Sequence, residues 1–181
     1  MKTLVIHPSD YSTDFLKPIY EGIEDKTVIT QDKTRDEIIE LIESHDRVMM
    51  MGHGSPSGLF GIGFNRLFVI DNGLVEHLNK KDNNVFIWCN ADRFVNRFGL
   101  KGFYTGMFIS EVGEAYYCGL PNIPQNVVDE SNNQFANWVG ELFTSKKPLN
   151  EVYSDIVDSY GKLANKNIVA KYNHERLYFA N

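Results

Sequence analysis

Two side chains in this 181-residue sequence could do covalent chemistry together. They are His53, in Gly52-His53-Gly54, and Cys89, in Val85-Phe86-Ile87-Trp88-Cys89-Asn90. A thiol attacks a carbonyl as its thiolate, and a nearby imidazole lowers the thiol pKa or takes its proton. Each residue closes an apolar run that reads as a buried strand. If those strands are neighbours, their ends lie about 5 Å apart, and the two side chains can meet or face each other across a substrate. The backbone N–H groups of Gly54 and Cys89 can then point into one cleft as an oxyanion hole. Gly54 suits that role because a residue without Cβ lets a carbonyl approach the backbone closely. The other cysteine, Cys118 in Ala115-Tyr116-Tyr117-Cys118-Gly119, reads as packing at a helix end.

The elements that must position this pair follow from apolar spacing. Leu4-Val5-Ile6, Thr27 to Thr30, Arg47 to Met51, Val85 to Cys89 and Phe103 to Ile109 read as strands. Helical spacing is read over Asp14 to Gly22, Arg35 to His45, Asn72 to Lys81, Ala91 to Phe98, Gln125 to Phe143 and Leu149 to Leu163. Thr34 with Glu37 three residues later makes a capping-box pattern for the second of these, and Asp92 is positioned to cap the fourth. The segments 167–170 and 176–179 are read as a closing strand. Glycines from Ser55 to Gly63 mark a loop, and Gly61-Ile62-Gly63 reads as a mobile wall of an active site. Strands without alternation are buried on both faces, as in a parallel sheet covered by helices. The strand–helix rhythm therefore predicts an α/β three-layer sandwich with right-handed crossovers, one domain over residues 1–181. Ligands in such sheets bind beyond the carboxyl ends of the strands, where His53 and Cys89 fall.

Composition removes several functions. Lys and Arg total 18 against 24 Asp and Glu, a net charge of −6, so no nucleic-acid partner is expected. No apolar run approaches the ~20 residues that span a bilayer, so no membrane partner is expected either. The N-terminus reads as a buried strand rather than a signal peptide. Two cysteines are too few for a disulfide scaffold, and a cytoplasmic location is expected. His7, His45, His53, His77 and His174 are scattered without an i, i+4 pair, so no metal is expected. The loop from Gly52 to Gly58 lacks the terminal Gly-Lys-Ser/Thr of a phosphate-binding loop, and no cofactor is expected. Phe94, Phe98, Phe103, Tyr104 and Phe108 read as core or cleft lining.

An apolar strand ending in His-Gly, then a helix, then an apolar strand ending in Cys resembles the caspase-like (clan CD) cysteine peptidases. Clostripain, gingipain, legumain, separase and the bacterial CHAT domains share this two-block pattern. Asp129, ahead of a segment through Phe135, adds a looser similarity to the CHAT type. The likeness covers roughly residues 1 to 145 in element order. It implies a peptide or protein substrate, with Cys89 as nucleophile, His53 as general base or acid, and Gly54 in the oxyanion hole. Relatives that cut after Arg or Lys often carry an acid near the cysteine. Here Ile87-Trp88 precede it, and Glu111 and Glu114 are the candidates for an acidic pocket. Trp88 is a further candidate for substrate contact. The bulk of Trp88 and the missing acid also fit a catalytically inactive interaction module of the same fold. A flavodoxin-like domain binding a small ligand at the strand ends is the third alternative.

Overall fold

The computed structural model describes residues 1–62, 68–145 and 147–181. Its strands are β1 (Thr3–Ile6), β2 (Lys26–Ile29), β3 (Arg47–Met51), β4 (Gly54–Ser55), β5 (Gly58–Leu59), β6 (Asn84–Ile87), β7 (Gly102–Thr105) and β8 (Leu177–Ala180). Six form one sheet in the order β2-β1-β3-β6-β7-β8, and β4 pairs with β5 in a small hairpin. All neighbours in the large sheet are parallel except β7 with β8.

The helices are α1 (Pro18–Glu21), α2 (Arg35–Ser44), α3 (Val75–Leu78), α4 (Ala91–Phe98), α5 (Val112–Tyr117), α6 (Gln125–Thr144), α7 (Leu149–Ala164) and α8 (Ile168–His174). Strand side chains alternate between two cores. Val5, Met49, Met51, Val85, Ile87 and Phe103 pack on one face with residues of α1, α6, α7 and α8. Leu4, Ile6, Val48, Met50, Phe86 and Tyr104 pack on the other with α2, α3 and α4. This is the predicted three-layer sandwich, and it explains why Val48-Met49-Met50-Met51 shows no alternation. Each of these four is fully buried, and burying a side chain of that size contributes roughly 1.5–3 kcal/mol.

The capping box forms as its spacing predicts. The Glu37 amide donates to Thr34 Oγ1 at 3.3 Å, and the Thr34 amide donates back to Glu37 Oε2 at 2.8 Å. These hydrogen bonds hold the Glu37 carboxyl down to about 2.

Several elements differ from the sequence expectation. The segment Asp14 to Gly22 divides into a 3-10 helix, Tyr11–Leu16, and α1, with Pro18 opening the second piece. The segment 72–81 divides similarly, into a 3-10 turn at Asn72–Leu74 and the short α3. The loop after His53 contains the β4–β5 hairpin, while Gly63 lies outside the described residues. Asp129 lies within α6 rather than before it. Residues 167–170 belong to α8, not to a strand. Asn167 caps that helix by accepting from the Val169 and Ala170 amides, each at 3.0 Å. Only Leu177–Ala180 adds a strand.

The run Phe103 to Ile109 leaves the sheet after Thr105, because Asn173 of α8 replaces a strand as its partner. The Ile109 amide donates to Asn173 Oδ1 at 2.7 Å, and Asn173 Nδ2 donates to the Ile109 carbonyl at 2.8 Å. Both groups are buried, so losing their partner leaves two unsatisfied backbone atoms, each costing about 1–3 kcal/mol. Asn173→Ala is therefore expected to destabilise the fold by about 2–4 kcal/mol in guanidinium unfolding. Asn173→Asp, which keeps only the acceptor, should also destabilise. A loss under about 0.5 kcal/mol for the alanine variant would contradict this role.

Candidate active site

The register of β3 against β6 sets the site. Met51 is paired with Ile87, and His53 and Cys89 each follow two residues after that pair. Both residues therefore leave the same end of the sheet, from adjacent strands. Gly52, between Met51 and His53, has φ of 138°, a value that glycine adopts without strain. On the other strand the turn falls one residue after the cysteine. Asn90 adopts left-handed geometry, with φ 66° and ψ 30°, as it starts α4. Asparagine is one of the few side chains that tolerate this conformation. β6 ends at Ile87, so Trp88 and Cys89 stand beyond the strand rather than within it.

His53 and Cys89 line one narrow cleft together with Thr13, Phe15, Leu16, Ile87, Phe108 and Ser110. They are not hydrogen-bonded to each other. The Cys89 thiol faces the Phe108 carbonyl at 3.4 Å and Glu114 Oε1 at 3.6 Å. Burial, and after it the negative charge of Glu114, pushes the Cys89 thiol up to about 12. At neutral pH it rests as a protonated thiol that donates to these oxygens.

Of the two candidate acids, Glu114 faces the cleft cysteine. Glu114 Oε2 accepts from the amide and hydroxyl of Ser110, at 2.7 and 3.0 Å, and from the Glu111 amide at 3.1 Å. One carboxylate oxygen thus closes the first turn of α5 and the other touches Cys89. Glu111 is exposed.

Trp88 is only 2% exposed, and its Nε1 donates to the Ser55 carbonyl at 3.1 Å. It stands edge-on to Phe86 and Phe94 in the core. What it can give a substrate is a wall. A Cβ on residue 54 would lie 2.3 Å from Trp88 Cδ1 and 2.7 Å from the Gly58 carbonyl oxygen. The first demand for glycine at Gly54 is thus the indole packed against it, before any substrate carbonyl.

Asp92 does not cap α4, whose first flanking residue is Asn90. Its Oδ1 is buried without a partner among the described residues. Cys118 ends α5 and packs against the buried cluster of Ile109, Ala115, Val128 and Val169, as the sequence suggests. Both cysteines are free. Among the described residues no three His, Cys, Asp or Glu side chains gather as a metal would require. No described helix is long and apolar enough to cross a membrane.

Sequence reasoning missed the residues behind His53. Its Nε2 lies 2.6 Å from Ser12 Oγ, and Ser12 Oγ donates to Asp10 Oδ1 at 2.7 Å. The short segment carrying them is anchored by His7 at the end of β1. Thr13 Oγ1 donates to the Asp10 carbonyl at 3.1 Å, so its oxygen accepts from His7 Nε2 at 3.1 Å. The Tyr20 hydroxyl then donates to His7 Nδ1 at 3.0 Å. The signal in the sequence was the polar cluster Ser9-Asp10-Tyr11-Ser12-Thr13 directly after a buried strand.

No protein-family model, curated protein or solved structure matches the chain.

Two outcomes test this geometry. Burial lowers the His7 pKa from 6.5 to about 4. The folded protein therefore resists a proton that the unfolded chain accepts. The resulting stability is complete above about pH 6.5 and is lost as pH falls towards 4, on the order of 3 kcal/mol in all. Guanidinium midpoints measured across that range should fall, and His7→Gln should flatten the dependence. A slope unchanged in that variant would refute the assignment. In a Cys118→Ser background, Glu114→Gln should shift the Cys89 thiolate absorbance titration to lower pH and speed alkylation at pH 9. An unmoved titration would show that Glu114 does not hold the thiol protonated.

Proposed function

We propose that the chain is a caspase-like cysteine peptidase that cleaves peptide bonds through His53 and Cys89. The observation that carries this reading is the two-residue overhang of both side chains past the Met51–Ile87 pair, into one cleft. Because Cys89 rests as a thiol, the reaction begins with proton transfer rather than from a standing ion pair. His53 takes the Cys89 proton as Sγ attacks the scissile carbonyl, and the amides of Gly54 and Cys89 hold the oxyanion. The C–N bond then breaks, and His53 returns its proton to the leaving amine. Water, deprotonated by His53, attacks the thioester, releases the acid and restores the thiol. Phe15, Leu16, Ile87 and Phe108 give the cleft apolar walls, which suits an apolar side chain beside the scissile bond. The unpaired cysteines fit a reducing compartment, and we place the protein in the cytoplasm.

One observation favours the second reading, a catalytically inactive interaction module of this fold. The Cys89 thiol is turned toward Phe108 and Glu114 and is held protonated there.

Cys89→Ala and His53→Ala should each reduce peptide hydrolysis by about 10²-fold or more while leaving the thermal midpoint within a few degrees. An electrophilic peptide should label Cys89 in the unmodified protein. Labelling confined to Cys118, or hydrolysis surviving in Cys89→Ala, would refute the peptidase reading.

A further inference from the structure

The Ser12 hydroxyl carries one proton and stands between two heteroatoms. Its oxygen is 2.7 Å from Asp10 Oδ1 and 2.6 Å from His53 Nε2. The hydrogen bond from Ser12 holds the Asp10 carboxyl below its ordinary range. At neutral pH Asp10 is therefore a carboxylate, which only accepts. The Ser12 amide donates to the same oxygen at 3.0 Å, which fixes the carboxylate in place. If the hydroxyl turned its proton to His53, two oxygens would face each other at 2.7 Å with no hydrogen between them. The proton thus lies toward Asp10, and the contact to the ring is made only when Nε2 carries the hydrogen. Among the described residues His53 Nδ1 has no protein partner.

We propose that Asp10 and Ser12 are positioning residues that hold His53 as its Nε2–H tautomer, leaving Nδ1 as the basic nitrogen. The catalytic meaning of this relay rests on the reading of His53 as the base of the cleft; the tautomer itself does not. A wrong tautomer would present an N–H where a lone pair is needed, so the relay sets the fraction of molecules competent to take a proton. The support is built from two strands. Asp10 and Ser12 follow β1, tied down through Thr13 to His7, and His53 follows β3. Since β1 and β3 pair in parallel, relay and ring leave the sheet at the same end.

The experiment is long-range proton–nitrogen NMR of the imidazole of His53 in the full chain at about pH 8, above the ordinary histidine range. The unmodified protein should show Nε2 protonated. Asp10→Ala removes the acceptor, so the freed Ser12 hydroxyl donates to Nε2 and the ring should change to Nδ1–H. Ser12→Ala should give a mixture, and Ser12→Thr should restore the original tautomer. With a peptide substrate, Ser12→Ala should lower kcat roughly tenfold or more with KM within about twofold, and Ser12→Thr should recover most of it. An Nδ1–H ring in the unmodified protein would overturn the proposal. So would a tautomer ratio indifferent to Asp10→Ala in a protein whose thermal midpoint shows it folded. A correct tautomer without thiol-dependent hydrolysis would overturn the peptidase reading and leave the relay standing.

Discussion

Parallel pairing of β3 with β6 is the constraint from which the cleft follows. In a parallel ladder the hydrogen bonds are evenly spaced, and equal steps along two strands reach equal heights. With Met51 opposite Ile87, any side chains two residues on are delivered to one end of the sheet. A slip of one residue would turn every strand side chain to the other face and exchange the methionines of β3 between two cores packed around different partners. The packing of both faces thus favours one register, and that register brings His53 and Cys89 to the same end of the sheet, where they line one cleft. Core and site share one cause.

Around that pair the molecule assembles two polar supports of opposite effect. On the β1 side, Tyr20, His7, Thr13, Asp10 and Ser12 form a chain of hydrogen bonds that ends on the His53 imidazole. On the β7 side, Asn173 holds Ile109, the Phe108 carbonyl faces the thiol, and Glu114 joins them. The first support orders the His53 imidazole. The second keeps the sulfur neutral, since a negative carboxylate in a buried setting disfavours a thiolate. A bound substrate that displaces the thiol from these oxygens would remove part of that penalty as it arrives.

Much of the architecture was legible because apolar periodicity reports burial directly. β3 and α4 fall where their patterns predict, and Thr34 with Glu37 forms the box their spacing implies. The misreadings have physical reasons. Residues 167–170 look like a strand because Ile168 and Val169 are β-branched, yet Asn167 caps a helix there, and Val169 packs beneath α5. Phe103 to Ile109 looks like a long strand because its later half is equally buried, but its partner is an amide side chain. His53 and Cys89 were visible as strand ends, whereas Asp10, Ser12 and Asn173 were not. Each acts through a hydrogen bond to a distant segment, and single polar residues carry no periodic signature. Gly54 was noticed for a sound reason, close approach to the backbone, although the nearest group is the Trp88 indole.

The Ile109–Asn173 clasp spans 64 residues of chain. One wall of the cleft is thereby held by a helix that a ribosome makes well after the wall itself. While α8 is still inside the exit tunnel, β3 and β6 can already lie side by side with Cys89 beyond their end. The segment from Gly106 to Ser110 still lacks its clasp at that stage. During synthesis the thiol is thus the earlier part of the site and its enclosure the later one, so a nascent chain passes through an interval in which Cys89 is present without the wall that quiets it.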